Sequence, residues 1–515
     1  MAERVQQINW AGIMGLAVAG LVILLTLGTL GAVAWRADSF SGLGPRDWSA
    51  VWFTAWQAAL SAFLSIVLAI PVARALARRS FVGRGLLITI LGAPFILPVI
   101  VAVLGLIAVF GRSGLLGNAL TWAGFDPISI YGIHGVILAH VFFNLPLATR
   151  LILQGWLAIP SEQFRLSSSL GFSSVDTFRH LELPMLRAVV PGIFMVIFLI
   201  CTTSFAVALA LGGGPRATTV ELAIYQAFKF DFNLSKAALL GVIQFGICSV
   251  AALVSLWIAV PSGQGGGLDR VVKRDGGSAL IDTVFIALAA AFLLIPLAAI
   301  VARGIGGLPE FTPDLMRATW RSVWVAVFSA IITVTASVAL ALAAQLWWKR
   351  IEIVGYLSIA ASPLVIGTGL FILVYRWVDP VLLALPVTIA VNAAMSLPFA
   401  LRAISPELAQ VDRDYSRLSQ SLGMSQGQYL RLVLLPRLRR PIGFSAGLAA
   451  ALSMGDLGVI TLFADPESAT LPLAMFRLME AYRLEQAYGV ALVLLALSLA
   501  LFWVFDRGGR VNADT

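Results

Sequence analysis

Only two cysteines, three histidines and 26 acidic residues are spread over the 515 positions of this chain. Cys201 and Cys248 both lie within long apolar runs and form no C-x-x-C pattern, which excludes a disulfide scaffold or a zinc ribbon. They read as packing residues. His134, His140 and His180 belong to no H-E-x-x-H motif and adjoin no cluster of carboxylates, so no metal site is expected and acid–base enzymology finds no support. A phosphate-binding loop of the form G-x-x-x-x-G-K-[ST] is also missing. The stretch "LGGGPRATT" at 211–219 has the glycines but no lysine. Any nucleotide chemistry belongs to another subunit.

Charge is scarce as well, at 12% of residues against 59% hydrophobic, with a mean hydropathy of +0.93. That much apolar surface exceeds what a water-soluble core can hide. The chain reads as an all-α polytopic membrane protein. Runs of about 20 apolar residues, the length that spans a bilayer, recur and predict twelve transmembrane helices. In the first half their cores cover 11–35, 50–73, 86–110, 132–157, 185–211 and 237–260. In the second half they cover 279–301, 319–346, 353–375, 381–402, 441–463 and 487–505.

The formal net charge of +9 invites a nucleic-acid reading, but the basic residues are scattered over short loops and form no single basic face. Topology accounts for them better. With a cytoplasmic N-terminus, the inner loops, tails and adjoining helix ends carry 23 of the 35 Lys and Arg, among them Arg74, Arg78, Arg79, Arg84, Lys273, Arg274, Lys349 and Arg350. Both termini are therefore expected inside. The first apolar run is longer than a signal-peptide core and is expected to remain as a span.

The two halves repeat. "RLSSSLGFSSVDTFRHLELPML" from Arg165 and "RLSQSLGMSQGQYLRLVLLPRL" from Arg417 share 11 of 22 positions, where chance predicts roughly two. The offset of 252 also aligns "NLPLATR" (144–150) with "SLPFALR" (396–402), and "ATTVEL" (217–222) with "ATLPLA" (469–474). Upstream the offset is 268, aligning "TAWQAALSA" (54–62) with "SVWVAVFSA" (322–330). The chain is thus expected to hold a first six-span repeat over 1–260, a Gly-rich cytoplasmic linker over 261–278 and a second six-span repeat over 279–515. Six crossings return the chain to its starting side, so the repeats are parallel, with a pathway between them.

Each repeated segment, about 160–184 and about 412–436, lies between the fourth and fifth spans of its unit and faces the cytoplasm. Gly171 and Gly423 permit a left-handed turn between two short helices, and Pro184 and Pro436 suit the start of the next span. Gly171, Leu181, Leu183 and Pro184 fit the spacing of the E-A-A signature loop of ATP-binding cassette (ABC) importer permeases, as do Gly423, Val433, Leu435 and Pro436. Both copies depart from that signature alike: Arg165, Leu166 and Ser167, with Arg417, Leu418 and Ser419, stand in the E-A-A place. A surface helix that only bridges two spans is the plainer alternative.

Beyond the loop, "AHVFFNLPLATRLI" (139–152), "LALGGGPRATTVELAIYQAF" (209–228), "QSLG" (420–423) and "MGDLGV" (454–459) resemble the fused, two-copy permease of bacterial thiamine ABC transporters. The resemblance implies an inner-membrane permease subunit for thiamine and its phosphate esters, delivered by a periplasmic binding protein. It also implies docking of the repeated loops on a cytoplasmic ABC ATPase homodimer, which holds the ATP and Mg. A permease for ferric iron or another small solute, a twelve-helix secondary transporter and a polytopic enzyme are the rival readings.

Polar groups inside the spans mark the candidate pathway or gate. Asp456 stands out, because a carboxylate at bilayer centre costs about 2.5–3.5 kcal/mol. The offset pairs it with Ser204. His140 pairs with Asn392, and Asn144 follows His140 by one turn. For these three, hydrogen bonding between helices is the simpler account. Glu221 suits either a cationic solute or binding protein, or the positive end of a helix.

Overall fold

This computed structural model describes residues 10–37, 42–92, 96–212, 214, 217–258, 278–346, 349–465 and 467–510. The 261–278 linker falls almost entirely outside them. Among the described residues there are helices and no strands.

The first repeat runs through α1 (Gly12–Arg36), α2 (Pro45–Arg78), α3 (Arg84–Ile90), α4 (Val99–Phe110), α5 (Ile133–Ala158) and α6 (Ser161–Ser169). It continues through α7 (Ser174–Thr202), α8 (Phe205–Leu211), α9 (Val220–Lys229) and α10 (Leu234–Trp257). The second repeat follows as α11 (Ala279–Gly307), α12 (Pro313–Leu346), α13 (Glu352–Ala360), α14 (Pro363–Val374) and α15 (Ala384–Ser421). It ends with α16 (Gln426–Tyr429), α17 (Arg439–Met454), α18 (Ile460–Phe463), α19 (Leu471–Glu480) and α20 (Leu484–Arg510).

Among the described residues ten helices are long and apolar enough to cross a membrane, or eleven if α13 and α14, bent by 94°, count as one span. The sequence predicts twelve, and the difference lies in helix breaks. The 441–463 run is interrupted after Met454, leaving α17 at 16 residues. The 86–110 run is also split ahead of Pro98, which moves that span to Val99–Trp122 without removing it from the count, and α13 and α14 are split ahead of Pro363. A residue before proline is driven out of the helical region. Ser362 accordingly sits at φ −71°, ψ 145°, and its hydroxyl caps the N–H of Leu364.

The first span of each repeat lies across the other repeat. Gly15 of α1 leaves no room for a Cβ against Ala343 and the Ala339 carbonyl of α12, and Gly369 of α14 is equally close to Thr29 of α1. Reciprocally, Gly105 of α4 approaches Ile300 and the Pro296 carbonyl of α11, and Arg79 pairs with Asp282 at 2.7 Å. Small residues let backbones meet closely where lipid offers no hydrophobic drive. One continuous buried core joins the repeats, with Ile100 and Leu104 packed in the same cluster as Leu364, Leu457 and Ile460.

Candidate functional site

The two repeated segments fold alike. In the first, Leu170, Gly171 and Phe172 donate their N–H groups to the carbonyls of Leu166, Ser168 and Ser167. In the second, Leu422, Gly423 and Met424 donate to those of Leu418, Gln420 and Ser419. This is a Schellman turn, and it requires the left-handed backbone at Gly171 (φ +70°) and Gly423 (φ +63°). Ser167 and Ser419 are buried and return their hydroxyls to the Phe164 and Ser416 carbonyls, at 2.9 and 2.8 Å. Arg165, Leu166, Arg417 and Leu418 are exposed, and neither arginine pairs with a described acid. Each segment therefore presents an exposed Arg-Leu pair and a further exposed leucine, Leu170 or Leu422, ahead of its turn.

After the turn, Ser173 and Asp176 form a reciprocal capping box, and Ser425 and Gln428 form the same box in the second repeat. The Ser173 hydroxyl and backbone N–H hold the exposed Asp176 carboxyl below the usual range. Pro184 and Pro436 do not open their spans. Helix already runs from Ser174 and from Gln426, and a π turn over Phe178–Glu182 or Leu430–Leu434 immediately precedes Leu183-Pro184 or Leu435-Pro436. The wider turn relieves the clash a proline ring would make with the carbonyl four residues back. Leu183 is half-buried, while Pro184, Leu435 and Pro436 are exposed.

The anchoring of the two segments differs. In the first, Glu182 is fully buried and takes Arg74 Nε at 2.7 Å and Arg78 Nη2 at 3.5 Å, both from the end of α2. Arg74 also lies 5.3 Å over the Phe178 ring. In the second, the counterpart Leu434 is buried in an apolar cluster with Leu340, Leu408 and Leu438. Pro160 interrupts the chain between α5 and α6, whereas Asp412 takes that place within the unbroken α15 and accepts the Tyr429 hydroxyl at 3.3 Å. Glu182 escaped the sequence reading, although a Glu facing Leu at matched positions marks the place where the repeats differ.

The intramembrane polar residues gather at two matched nodes. In the first, the Ser61 hydroxyl meets His140 Nδ1 at 3.2 Å, and Asn144 donates to the His140 carbonyl (2.8 Å) and to Cys201 Sγ (3.3 Å). In the second, Asn392 donates to Ser453 (2.9 Å) and Ser453 to Ser329 (3.2 Å). Ser61, His140 and Cys201 correspond by the repeat offsets to Ser329, Asn392 and Ser453. Both nodes join the second, fourth and fifth spans of their repeat, so these residues act as ties between helices. Sequence reasoning missed the serines and Cys201.

Just beyond each node the fifth span breaks, at Thr203-Ser204 and at Gly455–Val459. Ser204 and Asp456 thus share a location, as the offset predicts. A Cβ on Gly455 would meet Pro98 at 2.9 Å, and one on Gly458 would reach Pro363 at 3.6 Å. The second fifth-span break therefore sits against the third-span elbows of both repeats. Asp456 is half-buried there; one oxygen accepts the Gly458 N–H at 3.1 Å, and its carboxyl also faces Asn392 of the second node. Glu221 lies in the first turn of α9. Only 1% exposed, it faces Ser362 of the second repeat. Such burial takes it off any surface that a binding protein could touch and suits a helix N-terminal charge.

Residues 320–507 match the family of binding-protein-dependent transport system inner membrane components. Over its full length the chain is 36% identical to all of the thiamine transport system permease protein ThiP of Escherichia coli (strain K12). It is 38% identical to the ThiP of Brucella abortus (strain 2308), over 86% of this chain and 84% of that protein. With the Haemophilus influenzae ThiP the identity is 32%, over 83% and 82%. The chain belongs to this permease family. It is a multi-pass inner-membrane transport permease, and the two Schellman turns and two fifth-span breaks are the parts of that permease that its duplication supplies twice.

Proposed function

We propose that this chain is the membrane-spanning permease subunit of an ATP-driven importer for thiamine and its phosphate esters. The observation that carries the reading is the full-length match, through both repeats, to permeases whose name states thiamine transport. Both termini are assigned to the cytoplasmic side, in keeping with the distribution of Lys and Arg. The segments around Gly171 and Gly423 then face the cytoplasm, where each docks on one subunit of an ABC ATPase homodimer that binds ATP and Mg. On the opposite side a periplasmic binding protein delivers the solute. Two matched, solvent-facing turns on one chain suit a two-fold ATPase, because each ATPase subunit meets an equivalent surface.

Reconstitution of the chain with its ATPase in proteoliposomes, supplied with the binding protein and labelled thiamine, tests the proposal. Uptake that requires all three proteins and ATP is expected. Uptake of ferric iron in place of thiamine would overturn the substrate assignment, and ATP hydrolysis by the chain alone would overturn the division of labour.

A further inference from the structure

Among the described residues only two other than glycine have a positive φ: Phe232 at +50° and Tyr482 at +58°. A bulky side chain is disfavoured there, because its Cβ crowds the following carbonyl. The two positions are alike in their place before the following helix, although the 252 offset pairs Tyr482 with Phe230. Phe232 lies in the turn from α9 to α10 and Tyr482 in the turn from α19 to α20. The next residues, Asn233 and Arg483, each accept the first backbone hydrogen bond of the following helix at 3.0 Å, from Ala237 and Ala487. At Tyr482 the N–H groups of Tyr482 and Arg483 bond to the carbonyls of Met479 and Leu478. That places Tyr482 at the helix-ending site usually held by glycine.

Folding alone therefore favours glycine at both positions, yet both hold an aromatic ring that contributes little to packing. Phe232 is 83% exposed and Tyr482 88% exposed. Their exposed neighbours are mixed: Lys229, Asp231 and Asn233 with Phe230 around one, Glu480, Arg483 and Glu485 with Ala481 and Leu484 around the other. An exposed aromatic tip with charged residues beside it fits a protein-binding anchor with a polar rim. Backbone strain held at an exposed side chain points the same way. Phe232 also lines a cavity of about 680 Å³ between the repeats, with Phe371, Pro380 and Phe463. Pro380 adjoins the start of α15, and the far end of α15 carries the Gly423 turn, so this face is opposite the coupling segments.

We propose that Phe232 and Tyr482 are paired anchor points for the solute-binding protein, one supplied by each repeat. The inference rests on the binding-protein-dependent transport proposed above and adds the residues that make the contact. Each ring fills an apolar recess on the binding protein, and the left-handed backbone holds it upright in advance, so little ordering is needed on contact.

Glycine substitution separates anchoring from folding, because it removes the ring and relieves the backbone at once. The full transporter, with its ATPase, is placed in lipid nanodiscs and titrated with thiamine-loaded binding protein. F232G and Y482G are each expected to weaken binding about tenfold, within the range of an interface hot spot. The double variant should weaken it further, while co-purification with the ATPase persists and the melting midpoint does not fall. Asn, which tolerates the same backbone, repeats the test if a glycine variant fails to accumulate. Wild-type affinity in the double variant overturns the assignment. Absence of binding by the wild-type transporter overturns the binding-protein reading and this assignment with it.

Discussion

Glu182 and Leu434 occupy the same place in the two repeated segments, one as a buried carboxylate 2.7 Å from Arg74, the other as a buried apolar side chain. The two halves thus hold equivalent turns by different forces. Removing one member of a buried ion pair leaves an uncompensated charge and costs about 3–5 kcal/mol, whereas replacing the whole set by apolar residues is often tolerated. E182L is therefore expected to lower the melting midpoint and to impair ATP-driven uptake. Adding R74L and R78L, which imitates the second repeat, should recover much of the loss. A triple variant no better than E182L would show that the arginines act elsewhere.

Arg165 and Arg417 are exposed and stand at matched positions just before the Gly171 and Gly423 turns. We expect each to meet a carboxylate on its ATPase subunit, a pair sensitive to loss of either member. Arg165→Glu and Arg417→Glu should each uncouple transport while membrane insertion persists, and the two together should be worse than either. An acid-to-Arg change on the ATPase should restore part of the activity. Silent Arg→Lys variants, together with failure of any ATPase change to rescue the Glu variants, would instead mark these residues as headgroup contacts.

Asp176 and Gln428 close equivalent capping boxes, but only Asp176 titrates. Its folded pKa is depressed, first by the Ser173 hydroxyl and then by the Ser173 N–H. The cap is therefore fully present above the ordinary aspartate pKa of about 3.9 and is lost as pH falls through the lower folded value. Hydrogen exchange measured from pH 6 down to pH 3 should show the turn at Ser173–Thr177 loosening, with no matching change at Ser425–Tyr429. D176Q should abolish the difference between the repeats. Equal loosening in both would refute the assignment of the acid sensitivity to this carboxyl.

At the second fifth-span break, Asp456 uses one oxygen to cap Gly458 and turns its carboxyl toward Asn392. D456N keeps the capping acceptor and removes only the charge. If the carboxylate attracts a cationic solute through the break, uptake of labelled thiamine should fall about tenfold or more, equivalent to at least about 1.4 kcal/mol, with assembly retained. D456A, which also removes the cap, should lower stability in addition. Wild-type uptake by D456N would reduce the residue to a structural cap.

Several features were legible in the chain itself. Apolar run length set the helices, because only a satisfied backbone can cross lipid. The 252-residue offset between Arg165 and Arg417 revealed the duplication and located both Gly turns, since a left-handed position restricts residue type locally. The same offset also paired Ser204 with Asp456 at equivalent breaks. Hydropathy could not reveal the breaks: a run that stops and restarts around Gly455 or Ser362 is as apolar as one that continues. The π turns before Pro184 and Pro436 were equally hidden, since they depend on how the following span docks. Tertiary structure alone decided that α1 and α11 each lie across the other repeat, and which partners His140 and Asn392 tie across helices. It alone placed Glu182 between Arg74 and Arg78, residues more than 100 positions away. Which charge finds which partner depends on contacts between distant segments, and no local pattern encodes them.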